Sequence, residues 1–302
     1  MLMENSAPKV LCLTPTIPLA TASAPVLRAV EEIRRMRGGC QSHLMRCSDG
    51  NYYVVKFPNN PQGRRVLANE LLCTSLAELL SLPVAHGVII VVSEDLVHLT
   101  PDLCIQREHD QTPCGHGRCF GSQFVVDPRA RAIYDFLPGS ILTRVNNLLD
   151  FCGMLVFDTW TSNSDARQVV FAPDELSTYH AIMIDQGSCL DGQAWRFTDA
   201  PRRSLYLDKR VYENVQGISV FDPWLNDLAK ISRDALSEAA SRIPPEWFGG
   251  ELAQLDLLLD HLYERKDQIR DKIQFLGGAF PKIFPDWESH AAHAGSATKH
   301  AA

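Results

Sequence analysis

Phe157-Asp158-Thr159-Trp160-Thr161-Ser162-Asn163-Ser164-Asp165-Ala166-Arg167-Gln168 leads into a short apolar run, Val169 to Phe171, a Pro-Asp-Glu turn, and a second apolar run, Ala181 to Ile184, that stops at Asp185. Upstream, Leu149, Cys152, Gly153, Leu155, Val156 and Trp160 recur at helical spacing and predict a mostly buried helix from Asn146 to Trp160. The order is helix, polar loop with an acid, hairpin, acid. A hairpin returns the chain to where it started, so Asp165 before it and Asp185 after it can line one cleft.

A second lone charge lies far upstream. Lys56 closes the run Tyr52-Tyr53-Val54-Val55-Lys56, reached from His43 to Cys47 through Ser48-Asp49-Gly50-Asn51. Asp-Gly accepts the positive φ angles of a tight turn, so these residues predict a β-hairpin. Strand alternation puts Val54 and Lys56 on one face, directed either to a cleft or to solvent. Just before the hairpin stand Gly38 and Gly39, with Gln41 and Ser42, in a loop whose backbone amides could meet phosphate oxygens. A helix end followed by a turn explains the same glycine pair, because Pro25 to Met36 is predicted as a short helix that Arg37-Gly38-Gly39 ends.

Val66, Leu67, Leu71, Leu76, Leu79 and Leu80 give a helical stripe over Arg64 to Ser81, and Glu70 interrupts it. A carboxylate there either wants a cationic partner, with Lys56 the natural candidate, or marks the polar edge of the helix. Val84 to Val92, Phe120 to Asp127 and Ala132 to Phe136 read as strands, and Leu96 to Arg118 as irregular. Pro138-Gly139 is a hinge candidate. Tyr206 to Phe275 reads as three helices broken at Pro244-Pro245 and Gly249-Gly250, the last running Leu252 to Phe275.

Opposite charges at strand ends suit a nucleotide phosphate and its metal ion, with one carboxylate orienting a nucleophile and the other, about 20 residues on, binding the metal. The chain therefore reads first as a phosphotransferase. Asp158, in the last turn of its helix, reads as structural, bonding backbone amides of the next loop and fixing Asn163.

Composition narrows the field. With 302 residues, 45% of them hydrophobic, the chain can bury a sizeable core without covalent staples. Nine dispersed cysteines and a start lacking a secretory pattern fit a reducing cytoplasm. No apolar run approaches the roughly 20 residues a bilayer span needs. A net charge of -7 argues against a nonspecific nucleic-acid coat, although Pro201-Arg202-Arg203 with Lys209-Arg210 forms a local basic cluster. Zinc binding through His109, Cys114, His116 and Cys119 lacks the usual paired spacings, and no nucleophile-and-base pattern frames Cys40 or Cys189 with His43 or His180 for a cysteine hydrolase.

The residues from about Arg28 to Phe275 resemble the HipA-like kinases, a bacterial branch of the protein-kinase-like fold. The resemblance rests on Arg37-Gly38-Gly39-Cys40-Gln41-Ser42-His43-Leu44, Val54-Val55-Lys56-Phe57, Asn69-Glu70, Phe157-Asp158-x-Trp160-x-x-Asn163-x-Asp165 and Ile184-Asp185-Gln186-Gly187. It implies an α+β, two-lobed fold with a strand-rich N-lobe and a helical C-lobe. It implies ATP and Mg2+ as cofactors, Lys56 on the ATP phosphates, Asp165 as catalytic aspartate, Asp185 on magnesium, and Gly39 and Gln41 in the nucleotide-covering loop. Larger HipA toxins have an extra N-terminal segment and a DNA-binding antitoxin; too few residues precede Gly38 for that segment, so toxin function is not expected.

One departure stands out. The family loop has asparagine, a second metal ligand, five residues after the catalytic acid, where this chain has Val170. Either Gln168 substitutes with its amide oxygen or the loop is degenerate and the protein is a pseudokinase or nucleotide sensor. Arg167 either neutralises phosphate charge or pairs with Asp165. The expected organisation is a flexible segment 1–24, a nucleotide-binding lobe 25–137, a catalytic lobe 138–288 and a tail 289–302. The phosphoryl acceptor, protein or small molecule, is not readable.

Overall fold

The computed structural model describes residues 26–174, 177–197, 205–206 and 208–288. The segment 1–24, expected to be flexible, the expected tail from 289 and the basic Pro201-Arg202-Arg203 cluster lie outside these residues.

The chain opens with strands β1 (Ala29–Arg35), β2 (His43–Cys47) and β3 (Tyr52–Lys56), then helix α1 (Arg65–Leu79) and β4 (Gly87–Val92). A short helix α2 (Glu94–Leu99) and a small hairpin, β5 (Cys104–Gln106) with β6 (Gln111–Pro113), precede β7 (Gly117–Gln123). The five longer strands form an antiparallel sheet ordered β1-β2-β3-β7-β4.

The segment expected as a helix over Pro25 to Met36 is strand β1. Its pairing with β2 is interrupted by two register shifts, and its acids find partners across the strands, Arg46 Nε donating to Glu31 at 2.8 Å and His43 Nδ1 meeting Glu32 at 3.1 Å. Long-range pairing overrides the weak local propensity of Ala-Val-Glu-Glu. The glycine pair therefore sits between two strands rather than after a helix, and the helix-end explanation of it falls away.

The second half contains α3 (Gly139–Leu142), α4 (Asp150–Thr161), the hairpin β8 (Gln168–Pro173) with β9 (Tyr179–Ile184), then α5 (Asp222–Lys230), α6 (Arg233–Ser241), α7 (Leu252–Arg265) and α8 (Ile269–Ala279). The helix expected over Leu252 to Phe275 is two helices joined by a 3-10 turn at Lys266–Gln268, so four rather than three α-helices follow Tyr206 among the described residues. Ala132 to Phe136 is not a strand; a single bridge, Tyr134 to Phe171, ties it to β8. The irregular region expected over Leu96 to Arg118 holds most of α2, all of β5 and β6, and the start of β7.

One apolar core runs from α1 through α4 into α5 to α8, while a smaller one lies between the sheet, α2 and the β5–β6 hairpin. Helix α4 is buried on nearly every side because Gly153 admits the Trp224 indole, whose nearest atom stands 2.4 Å from where a Cβ would project. That close fit anchors the helix from which the acidic loop departs.

Candidate active site

Lys56 ends β3 on the face it shares with Leu44 and Val54, and it is 6% exposed. Its ammonium donates to Glu70 of α1 and, at 2.9 Å, to Asp185 Oδ1, just past the end of β9. The contact expected between Lys56 and Glu70 is present, with Asp185 added to it. Burial opposes the charge on Lys56, but the two carboxylates outweigh it and raise its pKa. Burial also works to raise Asp185; the Lys56 ammonium reverses the shift and holds its pKa below the usual carboxylate range. For Glu70, burial prevails over Lys56 and raises the pKa. Glu70 Oε2 additionally accepts the Gln186 backbone N–H at 2.9 Å, so one helix carboxylate grips both the lysine and the loop bearing Asp185.

The acidic loop leaves α4 through Ser162 in the left-handed region, φ 51°. Asn163 turns back on the helix, donating its backbone N–H to the Asp158 carbonyl at 2.9 Å and its amide to Asp158 Oδ1 at 3.1 Å. Asn163 Oδ1 then accepts the Asp165 N–H at 3.1 Å, and the Asp165 carboxylate accepts the Ala166 N–H at 2.8 Å. Asp165 is exposed at the tip, its backbone fixed by a chain of bonds that begins on a buried helix.

Arg167 has neither of the two dispositions expected for it. It is buried and forms a two-pronged pair with Asp158, with Nε to Oδ2 at 2.8 Å, and donates from Nη1 to the Ile184 carbonyl and to Gln186 Oε1, both at 3.0 Å. Its guanidinium cross-braces the end of α4 to the end of β9 and meets neither Asp165 nor solvent. Asp158 is thus structural, as read from the sequence, but it holds side chains rather than backbone amides. Burial raises the Asp158 pKa in spite of Arg167.

Gln168 is exposed at the start of β8 and pairs in register with Ile184, one residue before Asp185. Val170, where the family loop has asparagine, is 6% exposed in the same strand. Asp185, partly exposed, and Gln168, exposed on the strand paired with Ile184, carry hard oxygen donors of the kind magnesium takes. Among the described residues no group of three or more His, Cys, Asp and Glu is placed to hold a metal, and the set already disfavoured for zinc is split between buried Cys114 and Cys119 and exposed His109 and His116.

The glycine loop closes with Met36 N–H to the Ser42 carbonyl at 2.8 Å. Gly38, at φ 122°, takes a backbone conformation open to glycine, and Gly39 lies so near Gln62 that a Cβ would stand 3.0 Å from its amide nitrogen. Both glycines are exposed; Ser42 is buried. The Gln41 side chain is fully engaged with the β5–β6 hairpin, donating to the Gln106 carbonyl at 2.8 Å and accepting its N–H at 2.7 Å. Cys40 points inward, its thiol 2.5 Å from Gln62 Oε1, and burial pushes its pKa up to about 11 despite nearby Lys56. On the Lys56 face of the sheet, Leu44 and Tyr52 help to line a cavity of about 270 Å3 with Ile33, Phe124, Ala132 and Ile133.

Two participants had no assigned role in the sequence: Asn69, which bonds the chain after Asp185, and Gln186, which joins Glu70 to Arg167. Both adjoin site acids, and that adjacency was the available signal.

The family model for HipA-like kinases matches residues 29–185. The chain belongs to the HipA-like kinase family. No curated protein sequence matches it. Among solved structures, the Golgi casein kinase is similar at TM-score 0.52 and 14% identity, over 86% of this chain and 78% of that one. The Helicobacter pylori proinflammatory kinase CtkA gives TM-score 0.44 and 17% identity over 83% and 98%. The Shewanella oneidensis MR-1 HipA, HipB and operator DNA complex gives 0.45 and 13% over 84% and 76%. The fold is protein-kinase-like and two-lobed, with a strand-rich N-lobe and a helical C-lobe. No helix among the described residues is long and apolar enough to cross a membrane.

Proposed function

We propose that the protein is an ATP-dependent phosphotransferase that passes the γ-phosphoryl group to a hydroxyl acceptor, working in the cytoplasm. The observation that carries this reading is the meeting of Lys56, Glu70 and Asp185, brought from a strand, a helix and a post-hairpin loop into one hydrogen-bonded cluster. The nucleobase packs in the cavity beside Leu44, the exposed Gly38 and Gly39 amides cover the phosphates, and Lys56 holds the α- and β-phosphates. Asp185 and Gln168 would hold Mg2+, which would supply charge neutralisation on the phosphate oxygens. Asp165 accepts the acceptor's hydroxyl proton as its oxygen bonds to the γ-phosphorus; the bond to the bridging oxygen breaks and ADP leaves. Residues 25–137 and 138–288 are the two working lobes. Arg167 enters as a brace for the loop rather than as a phosphate contact.

The buried Val170 favours a second reading, a nucleotide-binding pseudokinase or sensor in which the second metal ligand is missing and transfer is lost. Incubating purified protein with γ-labelled ATP and magnesium, beside Asp185→Ala, separates the two. Label transfer or phosphate release by the parent and not the variant supports the kinase; magnesium-dependent binding with no turnover supports the sensor; no binding at all contradicts both.

A further inference from the structure

The segment after Asp185 follows a backbone course that its side chains disfavour. Asp185, Leu190, Asp191 and Trp195 have φ of 58°, 61°, 56° and 49°, four of the eight non-glycine residues with positive φ among those described. Such conformations persist only where surrounding bonds over-determine them. A single side chain supplies four of those bonds. Asn69, fully buried in α1, shares the two hydrogens of its amide nitrogen among the carbonyls of Gly187 at 3.1 Å, Cys189 at 3.1 Å and Gly192 at 2.7 Å, and its Oδ1 accepts the Trp195 indole N–H at 2.8 Å. The orientation of the amide is fixed chemically, because three carbonyls can only accept and an indole can only donate. Every polar atom of the side chain is committed to one strap of residues 187–195. Arg65, one turn earlier on α1, adds a bond to the Gln193 carbonyl at 3.1 Å and lies over the Trp195 ring at 4.6 Å.

The neighbouring residue completes the device. Glu70 accepts the Gln186 N–H and the Lys56 ammonium, so consecutive residues of α1 hold the strap on both sides of Gly187. Gly187 is itself pressed against α1, with Val66 Cγ1 2.6 Å from where a Cβ would stand. The direction in which Asp185 presents its carboxylate is set by this anchored backbone.

We infer that Asn69 is a positioning residue for the metal-binding arm: it touches neither nucleotide nor ion, and it tunes divalent-cation affinity by holding the strap that aims Asp185. This rests on the assignment of Asp185 to magnesium. Supporting groups behind a ligand typically change metal affinity about 10- to 100-fold when removed.

The test uses the full chain as wild type, Asn69→Ala and Trp195→Phe, the last removing the indole donor to Asn69 Oδ1 while keeping an aromatic ring beneath Arg65. ATP binding is measured by calorimetry in EDTA and then as a function of magnesium at saturating ATP. The magnesium concentration for half-maximal effect is expected to rise about tenfold in Asn69→Ala and at least threefold in Trp195→Phe, with EDTA-ATP affinity within twofold of wild type. Midpoints within twofold of wild type, or an equal loss of metal-free ATP binding, overturn the inference; a scaffold role alone would give that equal loss. If Asn69→Ala does not fold, Trp195→Phe decides by the same criteria. A wild type whose ATP binding ignores magnesium overturns the Asp185 assignment and this inference with it, whereas a responsive wild type matched by its variants overturns this inference alone.

Discussion

Lys56 Nζ and Asp185 Oδ1 stand 2.9 Å apart although 129 residues separate them in the chain. The contact joins the last residue of β3 to the first residue after the β8–β9 hairpin, and Glu70 shares the same ammonium. One cation between two carboxylates leaves an excess of negative charge, the arrangement expected where a divalent ion and a polyphosphate must be held together.

Removing the cation should expose that imbalance. Lys56→Met leaves two carboxylates facing each other at a largely buried position, and loss of one member of a buried ion pair typically costs about 3–5 kcal/mol. Chemical denaturation should show a loss of that order, together with loss of the ATP-induced thermal shift. A variant as stable as the parent with an unchanged shift would contradict the role given to Lys56.

Arg167 should behave as a brace. Arg167→Met alone strands the Asp158 carboxylate in the core and should destabilise by about 3–5 kcal/mol, while the double substitution Arg167→Met, Asp158→Leu should cost less than the sum of the two single ones. A double-mutant cycle by urea unfolding measures this. Additive energies would show that the pair is not coupled.

Asp165 should separate chemistry from folding. Asp165→Asn lies at an exposed tip, so its stability should stay within about 0.5 kcal/mol of the parent. Phosphoryl transfer should fall by roughly 10²- to 10⁴-fold with ATP affinity unchanged. Undiminished transfer would move the catalytic base elsewhere.

The Cys40 thiol should be slow to alkylate at neutral pH. Its folded pKa is pushed up from 9.0 to about 11 by burial, so its contribution to stability is intact below pH 9 and is lost as pH rises from there toward 11. Iodoacetamide labelling, mapped to the Cys40 peptide by mass spectrometry, should climb steeply across that window. Fast labelling at pH 7.5 would show that the loop opens readily.

Much of the site could be read from residue order, because its acids and its lysine close apolar runs whose period marks them as strands. Asp165 and Asp185 flank a hairpin, and that alone predicts their proximity. The helix expected at Pro25 to Met36 failed because nothing within those residues records the partner strand that converts Val30 to Arg35 into an edge of the sheet. Arg167 was placed beside Asp165 or a phosphate because sequence adjacency suggests nearness, whereas the turn at Ser162 directs it inward to Asp158, nine residues away. Asn69 carried only its place beside Glu70 as a sign of its grip, since a buried asparagine in an apolar helix finds its partners only once the strap has folded over it.

The most direct test is a crystal structure with magnesium and a non-hydrolysable ATP analogue. The phosphates should lie on Lys56, the ion on Asp185 with Gln168 adjoining, and the base beside Leu44. Nucleotide bound elsewhere, with neither Lys56 nor Asp185 touching it or its ion, would contradict this placement.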